Sequence, residues 1–152
     1  MARRRRLTPR NLARAGEAGL YYAASQLSLA LPPRMLLGRL VRHALAPLPA
    51  GRPDTRDAHR LARVADVVGD LWPLRSRCLQ RSLVLAWLLR RRGIGGRLRI
   101  GIQKGAGDMI AHAWVEVAGE PVNDTRDHCA TYATFEGADV PLVTLANLER
   151  AT

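Results

Sequence analysis

A chain of 152 residues with 47% hydrophobic content has the length of one domain and enough apolar material for a real core. Aromatics are only 5%, so that core must be built from Leu, Val and Ala, and two cysteines are too few for a disulfide framework and point to a reducing cytoplasm. The net charge of +11 favours polyanions, anionic surfaces or an acidic partner, although near-exclusive arginine (Lys104 is the single lysine) beside abundant Ala and Gly reads in part as GC-rich coding.

The arginines at positions 3–6 imitate the start of a secretory signal. Arg10, Arg14 and Glu17 follow, however, and Gln26 interrupts the apolar run of residues 18–31. That run also falls short of the roughly 20 residues a membrane span needs. The reading is a cytoplasmic protein with a basic N-terminal end and no membrane association.

Thr8-Pro9 is a helix start, and Leu12, Ala15, Leu20, Ala23, Leu27 and Leu31 recur near helical period until Pro32-Pro33. A second, shorter helix is expected over residues 35–45, with Leu36, Leu37, Leu40 and Val41 as its buried set. A turn-rich stretch over residues 47–53 follows. Asp54 or Thr55 caps a third helix carrying Ala58, Leu61, Val64 and Val67/Val68, which Trp72-Pro73 ends.

Residues 78–92 form a helix that is apolar almost all round, which predicts burial. Arg90, Arg91 and Arg92 suit the negative end of its dipole, and Gly93 caps it. After Gly95-Gly96 the period changes to two: residues 97–103 alternate as a strand with Leu98, Ile100 and Ile102 on one face. A hairpin loop at residues 105–108 leads to a strand over 110–118, a turn at Gly119-Glu120 and a strand over 121–124. Further short strands are expected over 131–135 and around 140–142. The fold class is α+β: residues 1–70 form a helical N-terminal segment, and residues 71–152 form a core in which the buried helix packs on an antiparallel sheet.

Cys78 opens the buried helix, where unpaired backbone N–H groups and the dipole stabilise a thiolate, and Arg75 and Arg77 push the same way. His112 lies on the second strand between Ala111 and Ala113. Asp124, twelve residues on across a short turn, is placed to orient the imidazole. Cys78, His112 and Asp124 thus have the composition of a nucleophile, a base and an orienting carboxylate. Competing readings stay open on residue types alone. Cys78 can be a small core hydrophobe, His112 a satisfied core group, and Asp127 can replace Asp124. No metal is expected: Cys78, His112, His128 and Cys129 lack zinc-ligand spacing, and His128 and Cys129, read as strand neighbours, would point to opposite faces. No nucleic-acid partner is expected either, because the arginine runs carry no interleaved aromatics.

The run Trp72-Pro-x-Arg75-x-x-Cys78-Leu-x-Arg81-Ser82-Leu-x-Leu, then Gly93-Ile, Ile100-Gly101-Ile, Ala111-His112-Ala-Trp114-Val-Glu116 and Gly119-x-Pro-Val-Asn-Asp124 resembles the stand-alone B-type leader peptidase of lasso-peptide biosynthesis. That family is a group of transglutaminase-like cysteine proteases. The resemblance implies a transglutaminase/papain-like core without cofactor, in which Cys78, His112 and Asp124 form the catalytic triad. It also implies cleavage of a leader peptide from a ribosomally made precursor, and an ATP-dependent cyclase partner that closes the new N-terminus onto a side-chain carboxylate. Fused members carry a leader-recognition domain with a β-sheet. Residues 1–70 show no strand pattern, so that module is expected to be a separate protein.

Trp72, six residues before Cys78, is a candidate oxyanion donor or a core plug, and Arg75 is a second candidate beside the nucleophile. Arg34, Arg39, Arg42, Arg52, Arg56, Arg60 and Arg63 make a basic face on the N-terminal helices, fit for an acidic leader or partner or simply solvated. Two other function classes remain on sequence grounds: an acyl transferase that uses an amine in place of water, and a non-catalytic basic binding protein.

Overall fold

The computed structural model describes residues 9–30, 53–73, 77–105 and 108–134. The helix expected over 35–45, the strand expected around 140–142, and Arg34, Arg39, Arg42, Arg52 and Arg75 lie outside them. In chain order the described elements are α1 (Pro9–Ala30), α2 (Thr55–Leu71), α3 (Cys78–Arg90), β1 (Arg97–Lys104), β2 (Met109–Val117), β3 (Glu120–Pro121), α4 (Arg126–Ala130) and β4 (Ala133–Thr134). The four strands form one antiparallel sheet in the order β3-β2-β1-β4, and α3 lies between that sheet and the pair α1/α2.

Helix α3 is buried on nearly every side, from Leu79 through Leu89. Leu83, Val84, Leu85, Leu88 and Leu89 are almost fully enclosed, each contributing about 1.5–3 kcal/mol of burial relative to exposure. Its end is a Schellman turn. Gly93 adopts φ +62°, its N–H bonds to the Arg90 carbonyl, and the Ile94 N–H reaches back to Leu89. That turn aims the chain directly into β1, where Leu98 and Ile100 are buried and Ile102 partly so.

Helix α1 turns a different face inward from the one its leucine period suggests. Ala18, Tyr22, Ser25 and Arg14 are buried, whereas Leu12 is 54% and Leu20 74% exposed, and Ala23 is exposed as well. Polar partners choose the face. Arg14 Nη2 donates to both carboxylate oxygens of Asp57 of α2 at 3.0 Å, Tyr22 donates its hydroxyl to the Ala65 carbonyl, and Glu17 pairs with Arg91 and Arg92. Asp54 caps α2 by accepting the Asp57 N–H, and the buried side of α2 is Ala58, Leu61, Ala62, Ala65 and Gly69. Val64 and Val68 are half-buried and Val67 is exposed. The described parts of residues 8–70 are helical and contain no strand.

β1 and β2 pair along their whole length, from Arg97 opposite Glu116 to Lys104 opposite Met109. A turn at Ala118 (φ +54°) and Gly119 (φ +80°) returns the chain antiparallel. β3 is only two residues long, facing Glu116 and Val117, so among the described residues no strand lies beside the outer edge of β2 over residues 111–115. The expected strand over 131–135 is reduced to β4. Residues 126–130, not foreseen as helical, form α4, because Thr125 caps them by accepting the His128 N–H. No helix among the described residues is long and apolar enough to cross a membrane.

Candidate active site

Cys78 occupies the first turn of α3, and its position is set from behind. Arg77 stands extended at the helix cap, and Gln80 closes a capping box by accepting the Arg77 N–H at 3.2 Å. Gln80 is itself buried and receives a hydrogen bond from Gln26 of α1 at 3.3 Å. Arg81, one turn after Cys78, is held by Asp70 and Asp66 of α2. The start of α3 is therefore braced by both N-terminal helices, while the Cys78 side chain remains partly accessible.

The free edge of β2 draws the remaining groups together. A strand edge carries unpaired N–H and C=O groups that must find partners. Here they find α3 and the segment after β3. The Ala113 N–H faces the Cys78 sulfur closely enough to favour its thiolate, the Ala113 carbonyl accepts the Ser82 hydroxyl at 2.9 Å, and the Val115 N–H donates to Asn123 Oδ1 at 2.8 Å. Asn123 Nδ2 then donates to Ser82 Oγ at 3.0 Å, and the Val122 N–H to the Val115 carbonyl at 2.9 Å. One closed polar circuit thus ties the helix of Cys78, the strand of His112 and the loop of Asp124.

His112 Nε2 meets Asp124 Oδ2 at 2.5 Å, which leaves Nδ1 as the nitrogen for the Cys78 thiol, and that thiol lies near enough to the imidazole for each to shift the other's titration. Burial alone would raise the Cys78 pKa. The His112 hydrogen bond, the Ala113 N–H, the nearby imidazolium charge and the Leu79 N–H outweigh it, and the thiol falls below its usual 9.0. Burial would likewise depress His112, but hydrogen bonds to Cys78 and Asp124 and their negative charges lift it above 6.5. Asp124 is held below 3.8 despite burial, by hydrogen bonds from His128, the Thr125 N–H and His112. All three displacements favour a thiolate–imidazolium pair beside a charged carboxylate.

A helix-borne thiol against an antiparallel sheet carrying His and then Asp has a counterpart among known families. Residues 25–136, nearly three-quarters of the chain, match the transglutaminase-like superfamily. The chain belongs to that superfamily. Neither the curated proteins nor the solved structures give a significant match.

In this transglutaminase-like domain an aromatic wall stands around the imidazole. His112 stacks on Trp114 with centroids 5.8 Å apart, and Tyr132 and His128 approach it at 5.1 Å and 4.9 Å. Gly101, directly opposite His112 in the sheet, makes room: a Cβ there would stand 2.7 Å from Tyr132 Cβ and 3.1 Å from the Trp114 ring. Trp114 is anchored from below by its indole N–H on Glu116, which also pairs with Arg99.

The other candidates fall as follows. Asp124, not Asp127, meets His112; Asp127 is exposed in the first turn of α4. Cys129 is buried, its thiol pushed up to about 11 by burial and by the charges of Asp124 and Glu116. His128 and Cys129 lie on a helix, the first exposed and the second buried, and among the described residues Cys129 takes no part in a ligand cluster. The donor atoms of His112, Asp124 and His128 do lie within 4.8 Å of one another, with the carboxylate already engaged by both rings. Trp72 stacks on Tyr22 at 5.6 Å and packs against the core, and its buried indole N–H has no partner among the described residues. Ser82, Asn123 and His128 were not anticipated as site residues. The signals available for them were the positions one turn after Cys78, immediately before Asp124, and one helical turn after it.

Proposed function

We propose that this chain is a cysteine endopeptidase that removes the leader peptide from a ribosomally synthesised lasso-peptide precursor. The observation that carries the peptidase reading is that Cys78, at the N-terminus of a buried helix, lies beside an imidazole, His112, whose Nε2 is hydrogen-bonded to Asp124. The precursor assignment rests on the extended likeness of residues 72–124 to stand-alone leader peptidases.

In this reading the Cys78 thiolate adds to the scissile carbonyl, and the oxyanion is met by backbone N–H groups at the start of α3. His112, as imidazolium, gives its proton to the departing amine, leaving a thioester and the released mature segment. A water molecule, deprotonated by His112, then adds to the thioester; the intermediate expels the Cys78 thiolate beside the imidazolium, and the leader leaves as a carboxylate, its acid proton passing to solvent. Asp124 keeps the imidazole in its working tautomer and stays charged throughout. The peptidase works in the cytoplasm with a separate leader-recognition protein and hands its product to an ATP-dependent cyclase.

The test is mass spectrometry of candidate precursors incubated with the chain and its recognition partner. Two hydrolytic fragments, both lost with Cys78→Ala, support the proposal. A product heavier by an added amine assigns acyl transfer instead, and activity indifferent to Cys78→Ala removes the enzyme reading.

A further inference from the structure

Asp124 has a second imidazole on it. His128 Nδ1 lies 2.9 Å from Asp124 Oδ2, the same oxygen that meets His112, while the other oxygen accepts the Thr125 N–H at 2.7 Å. We propose that His128 is a positioning residue of the thiol site, its Nδ1–H holding the Asp124 carboxylate in the orientation that serves His112. The inference deepens the proposed function, since it rests on Cys78 and His112 acting as nucleophile and base.

Four independent features carry it. First, α4 exists to place this ring: Thr125 Oγ1 accepts the His128 N–H, and the i,i+4 spacing from Asp124 brings the side chain back over the carboxylate. Second, the tautomer is selected. The Tyr132 hydroxyl stands 3.5 Å from His128 Nε2, with the two rings edge to face at 5.4 Å. The ionised Asp124 carboxylate can only accept, so the 2.9 Å contact requires the proton on Nδ1, and Nε2 is left facing the Tyr132 hydroxyl. Third, the groups facing His128 are Asp124 from the loop, His112 from β2 and Tyr132 after α4, which together form a line Tyr132→His128→Asp124←His112 ending at Cys78. Fourth, two rings donating to one oxygen fix that oxygen in position. Without His128 the carboxylate would keep one bond on each oxygen, from His112 and the Thr125 N–H; the second ring adds a further restraint on a χ2 torsion that is intrinsically broad for Asp. The depressed pKa of Asp124 agrees, with the His128 hydrogen bond as the largest cause opposing burial.

A purely structural role would leave His128 as a half-exposed side chain near the end of a short helix. The two roles separate by substitution. Asn places an amide N–H where Nδ1 is, Gln places one nearer Nε2, and Ala places none. The assay is the pH dependence of Cys78 alkylation by iodoacetamide in the full chain, which needs no peptide substrate. His128→Ala and His128→Gln are expected to slow alkylation at neutral pH about tenfold, the effect of one pKa unit in the thiol. His128→Asn is expected to stay within about twofold of the parent. All three should melt alike, because the side chain is half-exposed. Alkylation profiles that are the same in Ala, Gln and Asn variants, or unchanged from the parent in His128→Ala, overturn the proposal. If leader cleavage fails while the Asn-rescued alkylation shift is found, only the substrate reading falls.

Discussion

Ser82 is the residue whose removal tests most directly how the site is assembled. It is fully buried, donates to the Ala113 carbonyl and accepts from Asn123 Nδ2. Ser82→Ala changes almost no volume but strands both partners. An unsatisfied buried polar group costs about 1–3 kcal/mol. The Ala113 carbonyl is deeply enclosed, whereas Asn123 is half-buried and keeps its bond to Val115, so the sum is roughly 2–4 kcal/mol. Against a typical stability of about 5–15 kcal/mol that is a large share. At this chain length it should lower Tm by roughly 5–15 °C. Urea unfolding of the single variants and of Ser82→Ala/Asn123→Ala gives the coupling, expected at about 1 kcal/mol or more. Because the same circuit sets the Ala113 N–H against sulfur, Cys78 alkylation should slow in parallel. A loss below about 0.5 kcal/mol, or effects that simply add, would refute the view that one polar circuit joins the three segments.

Alkylation of Cys78 should inflect below pH 9.0 in the parent and move upward in His112→Ala, which removes the imidazole's hydrogen bond and charge while burial persists; Cys129, at about 11, stays silent near neutrality. An inflection at or above 9.0 in the parent would contradict the assignment of a thiolate partner. Asp124→Asn keeps the shape but deletes the charge that lifts His112, so the alkaline limit of peptide cleavage should shift to lower pH and turnover should drop by about 10²–10⁴. Trp72→Phe keeps the stacking on Tyr22 and removes the unpartnered indole N–H; a ~10²-fold loss of turnover with unchanged melting identifies an oxyanion donor, and equal losses of both identify a core plug. Arg56, Arg60 and Arg63 are exposed on α2, and if they steer an acidic leader or partner, cleavage should slow as salt rises to about 0.5 M; a rate indifferent to salt removes that role.

Strong local signals in the sequence determined a good part of this protein. The apolar run after Arg77 required a buried helix with Cys78 in its first turn, and the strict alternation from Arg97 required β1. Gly93 marked the helix end and Gly119 the hairpin, because both positions need φ above zero. The order Cys78, His112, Asp124 followed from those elements. Tertiary structure decided what has no local period. The inward face of α1 was chosen by Asp57, Ala65 and the arginines at the end of α3, partners far away in the chain, while Leu12 and Leu20 face water. α4, five residues long, is too short to show a repeat and exists through its Thr125 cap. The choice of Asp124 over Asp127 was made by Asn123 and Val122 docking on the bare edge of β2, which presents one carboxylate to His112 and carries the other into solvent on α4. Periodicity records which residues avoid water, but the pairing of a strand edge depends on which groups arrive there, and only the folded chain brings them.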